Sequence, residues 1–217
     1  MNENTENVKH VTSSEAIIEF AKALVATHAP PKMMLMSIDR IEHVYALAML
    51  EAIFNCQNYF DKEGENTKYN RTDAEKKFCI FSGKAAEIEC QRKLMHEGYA
   101  VEEGTVLFSP RHDKGVDHKY GGLGAVQIKF RHDLEFAIDS GVLNKCRNED
   151  ITLLVVRCDE FYDDYRPREG SMDWRQPPAL PRKRYKGWDV FKVDAAKAAA
   201  DGVTRFRFGI NEYVNWF

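Results

Sequence analysis

Residues 151–156, Ile-Thr-Leu-Leu-Val-Val, form a continuous apolar run containing two β-branched pairs. A run this short and uniform suits a strand buried on both faces. Covering both faces of a strand takes a layer on each side of its sheet. The expected fold class is therefore α/β, a mixed central sheet flanked by helices, with an N-terminal helical element attached. The chain has 217 residues, enough for one such domain and an appended element. Hydrophobic residues make up 44% and charged residues 30%, which supports a packed core and argues against global disorder.

The chain divides at about residue 72. In the segment 1–72, two helices are expected over 13–60. Ser13 or Ser14 caps the first, and Ile17, Ile18, Phe20, Ala21, Leu24 and Val25 form its apolar face. Pro30 and Pro31 end it. Ser37 or Asp39 opens the second, where Ile41, Val44, Tyr45, Ala48, Met49, Ala52 and Ile53 recur at helical spacing. These faces suit packing, either as a dimer interface or as an arm that contacts DNA or a partner. The polar stretch 61–71 reads as a loop.

Residues 73–217 hold the expected core. A helix is predicted over 84–96 with Gly98 as its stop. Strands are predicted over 99–101, 105–108 and 123–130, a helix over 134–143, and the buried strand at 151–156. Beyond 159 the pattern is irregular. It includes a Pro/Arg-rich loop at 166–186, an alanine-rich helix at 195–200 and an alternating strand at 204–210.

A net charge of −3 excludes a strongly basic coat for nucleic acid but leaves room for a local basic patch. The five cysteines are an odd number with no C-x-x-C spacing, which points to reduced thiols rather than a zinc ribbon or disulfide framework. No apolar signal core opens the chain, and no run approaches the ~18 residues a spanning helix needs. A cytoplasmic location without a membrane partner is expected.

The chemistry gathers between Gly83 and Phe130. Glu87 lies on the predicted helix, and Asp117 lies at the end of a predicted strand beside a glycine turn. Gln127 and Lys129 sit two apart in the next strand, so both project from one face. Hydrolysis of a phosphodiester needs a cation to neutralise the phosphate and acidify a water. Magnesium takes hard oxygen ligands and usually only one or two protein carboxylates. Asp117 suits that role, and the Gln127 side-chain oxygen and the Ile128 backbone carbonyl can complete the shell. Lys129 can stabilise the attacking hydroxide or the transition state, and Glu87 can hold a metal-bound water or a second ion.

Taken singly, each residue has an ordinary role: Lys129 as a solvated edge residue, Asp117 as a turn former, Glu87 on a solvated helix face. Their order and spacing together favour the site. Asp113 rivals Asp117 but is flanked by charges and reads as loop. Glu89 rivals Glu87 but faces elsewhere on the helix. His112 and His118 can touch phosphate, though loop histidines are more often simply exposed.

Together these residues resemble the PD-(D/E)XK nuclease superfamily, with its restriction-endonuclease-like fold. Gly83 to Glu87, continuing through Leu94 to Gly98-Tyr99-Ala100-Val101, looks like its opening helix and first strand. Gly115-Val116-Asp117 resembles its metal-binding aspartate, and Val126-Gln127-Ile128-Lys129-Phe130 its (D/E)xK strand in the QxK variant. The resemblance covers about residues 83–158. Valine rather than proline precedes Asp117, and Gln127 replaces the usual second carboxylate. The latter implies weaker metal binding or greater reliance on Glu87.

The resemblance implies a magnesium-dependent deoxyribonuclease, with manganese as a possible substitute. Asp117, Gln127, Lys129 and Glu87 would be catalytic; Asp117, Gln127, Ile128 and Glu87 would surround the metal. Duplex DNA is the expected substrate and endonucleolytic cleavage the expected mode. A homodimer would let two sites cut both strands. In the loop 166–186, Arg175, Arg182, Lys183, Arg184 and Lys186 can grip phosphates while Trp174 or Tyr185 packs on sugar or base. The alternatives are a non-catalytic binding module for nucleic acid or protein on the same fold, and a nuclease specific for junctions or flaps.

Overall fold

The computed structural model describes residues 33–34, 73–104, 106–107, 115–165, 187–209 and 212–217. The expected helix pair over 13–60 (its interhelical residues 33–34 aside), His112, Asp113 and the loop residues Arg175, Arg182, Lys183, Arg184 and Lys186 lie outside these. Among the described residues the chain runs β1 (Met33–Met34), α1 (Asp73–His96), β2 (Val101–Glu103), β3 (Val106–Leu107), β4 (His118–Tyr120), β5 (Gly124–Phe130) and β6 (Glu135–Ala137). It continues through α2 (Ser140–Asn148), β7 (Thr152–Arg157), α3 (Asp159–Tyr165), β8 (Asp189–Val193), α4 (Ala195–Asp201), β9 (Arg205–Arg207) and β10 (Val214–Trp216).

Six strands form one mixed sheet in the order β10–β8–β7–β5–β4–β2. β5 and β7 are parallel, with Ile128 opposite Leu154; the other neighbours are antiparallel. Two short ladders, β1–β3 and β6–β9, stand apart from it.

β7 occupies the centre because both its faces are apolar, as the 151–156 run requires. Leu154 and Val156 pack with Ala86, Cys90 and Leu94 of α1 and with Tyr120, Val126, Ile128 and Val190. Leu153 and Val155 pack on the other face with Leu143 and Cys146 of α2, Ala195 and Ala198 of α4, and Phe191 and Val193. Each fully buried leucine contributes about 1.5–3 kcal/mol. Among the described residues no helix is long and apolar enough to cross a membrane.

Several expectations are corrected. The helix predicted to start at 84 begins at Asp73. It does stop where expected: Gly98 adopts φ +93°, its N–H donates to the Met95 carbonyl (3.1 Å), and the Tyr99 N–H donates to the Leu94 carbonyl (3.0 Å). That is the glycine-ended C-terminus of a Schellman motif. The first strand follows at Val101–Glu103 rather than 99–101.

The helix expected over 134–143 is instead β6 followed by α2. Phe136 and Ile138 are buried while Glu135 and Ala137 are exposed, and Phe136 pairs with Phe206 across the β6–β9 ladder. Asp139 then caps α2 by accepting from the Gly141 N–H at 2.8 Å, which carries the helix to Asn148. Among the described residues past 159, the acidic run 159–164 lies in α3, and strand β9 covers Arg205–Arg207 of the predicted 204–210.

Candidate functional site

β4 and β5 form an antiparallel hairpin of unequal arms. His118, Lys119 and Tyr120 pair with Val126, Ala125 and Gly124, and residues 127–130 run on past the start of β4. Asp117 stands at that step, immediately before β4 rather than at the end of a strand. Gly115 at φ +83° interrupts any extended approach to it. The Asp117 N–H donates to the Val126 carbonyl at 2.8 Å. Asp117 Oδ2 then accepts from the Ile128 N–H at 2.5 Å and from Gln127 Nε2 at 2.6 Å. The carboxylate thus takes the place of the missing strand and satisfies a donor that would otherwise end the ladder unpaired.

Backbone alternation fixes where Ile128 points. The Val126 carbonyl is directed at β4, so the N–H and carbonyl of Ile128, two residues on, lie along the same edge. The Ile128 carbonyl therefore faces the Asp117 side of β5. Gln127, 6% exposed, and the half-buried Lys129 project from the opposite face to Val126 and Ile128, toward α2.

The cysteines report the surrounding field. Burial raises the Cys146 thiol on α2; Lys129 and Lys145 oppose that shift, and Glu149 and Asp117 add to it. Burial also raises the Cys90 thiol on α1, where Lys93 opposes the shift and Asp117, Glu87 and Glu97 add to it. Asp117 acts on thiols on both sides of the sheet, as fits a carboxylate at the open end of the β4–β5 ladder. Glu87 shares the Cys90 neighbourhood with it. Glu89 instead acts on the Cys158 thiol before α3, consistent with the two glutamates facing different ways. Glu87 is buried and accepts from Lys84 Nζ at 2.8 Å.

No family model, no curated protein and no solved structure matches this chain.

Asp117, Gln127 and Ile128 meet directly, and Lys129 shares the Gln127 face. Among the described residues no group of three or more His, Cys, Asp or Glu side chains converges to hold a metal. The oxygens offered around Asp117 are its carboxylate, the Gln127 amide oxygen and the Ile128 carbonyl. This all-oxygen set has one charge and fits a hard cation that keeps most of its waters, rather than zinc.

His118 corrects the expectation of an exposed loop histidine. It is fully buried in β4, with Nδ1 2.6 Å from the Tyr120 hydroxyl. Burial, followed by the Lys84 charge, pushes its pKa down to about 3. Sequence reasoning also missed Lys145, whose Nζ approaches Gly115 from α2. A Cβ built on Gly115 would meet both Lys145 Nζ and Gln127 Oε1 at 3.0 Å. Reading Asp139 as a helix cap would have carried the helix far enough to include Lys145. A cleft along the β6–β9 ladder, lined by Glu135, Phe136, Ala137, Arg205, Phe206 and Arg207, contains none of these residues.

Proposed function

We propose that this chain is a divalent-metal-dependent DNA endonuclease of the PD-(D/E)XK kind, acting on duplex DNA. The observation that carries the reading is the Asp117 carboxylate seated on Gln127 and Ile128 where β5 outruns β4. Lys129 extends from the same strand on the Gln127 face. A mixed sheet between α1 on one side and α2 with α4 on the other supports the assignment.

Asp117, the Gln127 side-chain oxygen and the Ile128 carbonyl would hold magnesium, or manganese in its place, with Glu87 assisting from α1. The bound ion would neutralise phosphate charge and lower the pKa of a water. Asp117 fixes the Gln127 amide by accepting from Nε2, which leaves Oε1 as the amide's acceptor. Lys129 supplies a positive charge where the pentacovalent phosphorus gathers negative charge, and it needs no reorganisation to do so. The homodimer and the grip of the basic loop on DNA belong to the same proposal.

Cleavage of supercoiled plasmid by the wild type and by Lys129→Ala, with magnesium, manganese or a chelator, tests this. Metal-dependent nicking or linearisation should fall by about 10²–10³ in the variant. Activity confined to free ends of linear DNA would sink the endonuclease claim. A non-catalytic binding module is the second reading, favoured by the Gln127 amide spending its donor on Asp117 where a second carboxylate would stand. That reading predicts no cleavage with any metal and DNA retardation that survives Lys129→Ala.

A further inference from the structure

Two lysines from different layers stand near Gln127, the residue that donates to Asp117. Lys129 comes from β5. Lys145 comes from α2, next to Cys146, which is buried against the sheet. The Lys145 side chain is 33% exposed, and its acidic partner among the described residues, Glu149 one turn on, is 3.9 Å away, a loose contact. Both lysines act on the buried Cys146 thiol, opposing the effects of Glu149 and Asp117.

Gly115 separates Lys145 from Gln127. Any side chain there would lie 3.0 Å from Lys145 Nζ and from Gln127 Oε1. The φ of +83° also selects glycine, so no side chain at position 115 fills the space between them. The Lys145 ammonium and the Gln127 amide oxygen thus meet beside Gly115, with Lys129 on the Gln127 face of β5. Asp117 and Glu149 offset the two lysines, but Lys145 is held only loosely by Glu149 at 3.9 Å and is free to turn to a phosphate oxygen.

We infer that Lys145 is a second phosphate-binding residue, contacting a non-bridging oxygen of the DNA backbone beside Lys129. This rests on the nuclease reading above. A lysine on a phosphate acts through charge, so its loss should change the salt dependence of binding and not only its strength.

The test is fluorescence anisotropy of a labelled short duplex with the full chain. Calcium replaces magnesium to hold off cleavage, and sodium chloride is varied. Lys145→Ala should lower the slope of log K against log salt by about 0.9, one phosphate contact. Between ~50 and ~200 mM salt the variant should then lose about 3.5-fold less affinity than the wild type. Lys145→Arg should restore the slope. Lys192→Ala, an exposed lysine on β8, should leave it unchanged. Lys145→Gln, which keeps the aliphatic stem, should behave like Lys145→Ala if charge rather than packing is lost. An unchanged slope in Lys145→Ala, with a wild type that binds DNA, overturns this inference and leaves the nuclease reading intact. A wild type that neither binds nor cuts DNA overturns both.

Discussion

His118 ties the stability of the fold to pH in a way that can be worked out from its surroundings. Its ring lies under α1, fully buried, with Nδ1 2.6 Å from the Tyr120 hydroxyl. Burial is the main reason its pKa falls from 6.5 to about 3, and the Lys84 ammonium adds to the fall. Burial likewise holds Tyr120 above its ordinary value, so the pair is an uncharged imidazole and an un-ionised phenol. The folded pKa lies below the unfolded one. Between about pH 6.5 and pH 3 the unfolded chain therefore binds a proton that the folded chain refuses. The associated stability is fully present above 6.5 and is lost as pH falls toward 3. At pH 5 the loss is about 2 kcal/mol from this residue alone, or about 4–8 °C in melting temperature for a chain of this size.

Other groups titrate in the same range, so the readout is a difference. Urea unfolding at pH 7.5 and pH 5, with a chelator present, is compared for the wild type and His118→Asn. The asparagine amide stands near the position of Nδ1 but does not titrate. The variant will be less stable at both pH values because it leaves a gap, and that offset cancels in the comparison. Its drop between the two pH values should be about 2 kcal/mol smaller than that of the wild type. Equal drops would refute the reasoning, because they would mean that His118 protonates in the folded protein as readily as in the unfolded one.

Asp117 has both a structural and a chemical role, and two substitutions separate them. Asp117→Ala removes the acceptor of the Ile128 N–H and should cost about 1–3 kcal/mol in urea unfolding, whereas Asp117→Asn retains a carbonyl acceptor and most of the stability. Both should abolish plasmid cleavage, since neither has a carboxylate for the metal; cleavage surviving in Asp117→Asn would remove Asp117 from the metal site. Gly115→Ala places a methyl 3.0 Å from Gln127 Oε1 and Lys145 Nζ at φ +83°. The left-handed backbone alone should cost about 1–2 kcal/mol, measured by urea unfolding, and DNA affinity should fall alongside stability.

What could be read from the sequence followed from local pattern, and what could not followed from partners far along the chain. The β7 strand was legible because a short run that is apolar on both sides has few other uses. β5 was legible from its own apolar run, which also placed Gln127 and Lys129 on one face. Residues 134–138 misled because Leu134, Phe136, Ala137 and Ile138 fit either period over so short a span. Their partner Phe206 is 70 residues away, and no window around 136 reveals it. His118 misled for a related reason. Between Asp117 and Lys119 it looks solvated, but strand alternation turns it and Tyr120 together beneath α1. Lys145 stayed hidden because it reaches the site through packing of one layer on another.

The same contrast bears on which residue best reports the chemistry. Asp117 closes the β4–β5 ladder, so a chain with no activity would still draw stability from it. Lys129 has no such duty: no hydrogen bond or ion pair to a described residue ties it down. A half-buried ammonium on a strand facing a helix loses part of its hydration. Folding alone gives no reason for a lysine there, whereas binding an anion does. If Lys129→Met leaves stability unchanged or raises it while removing cleavage, the lysine serves the reaction. If stability falls by more than ~1 kcal/mol, the charge is structural after all, and the nuclease reading loses the support of Lys129.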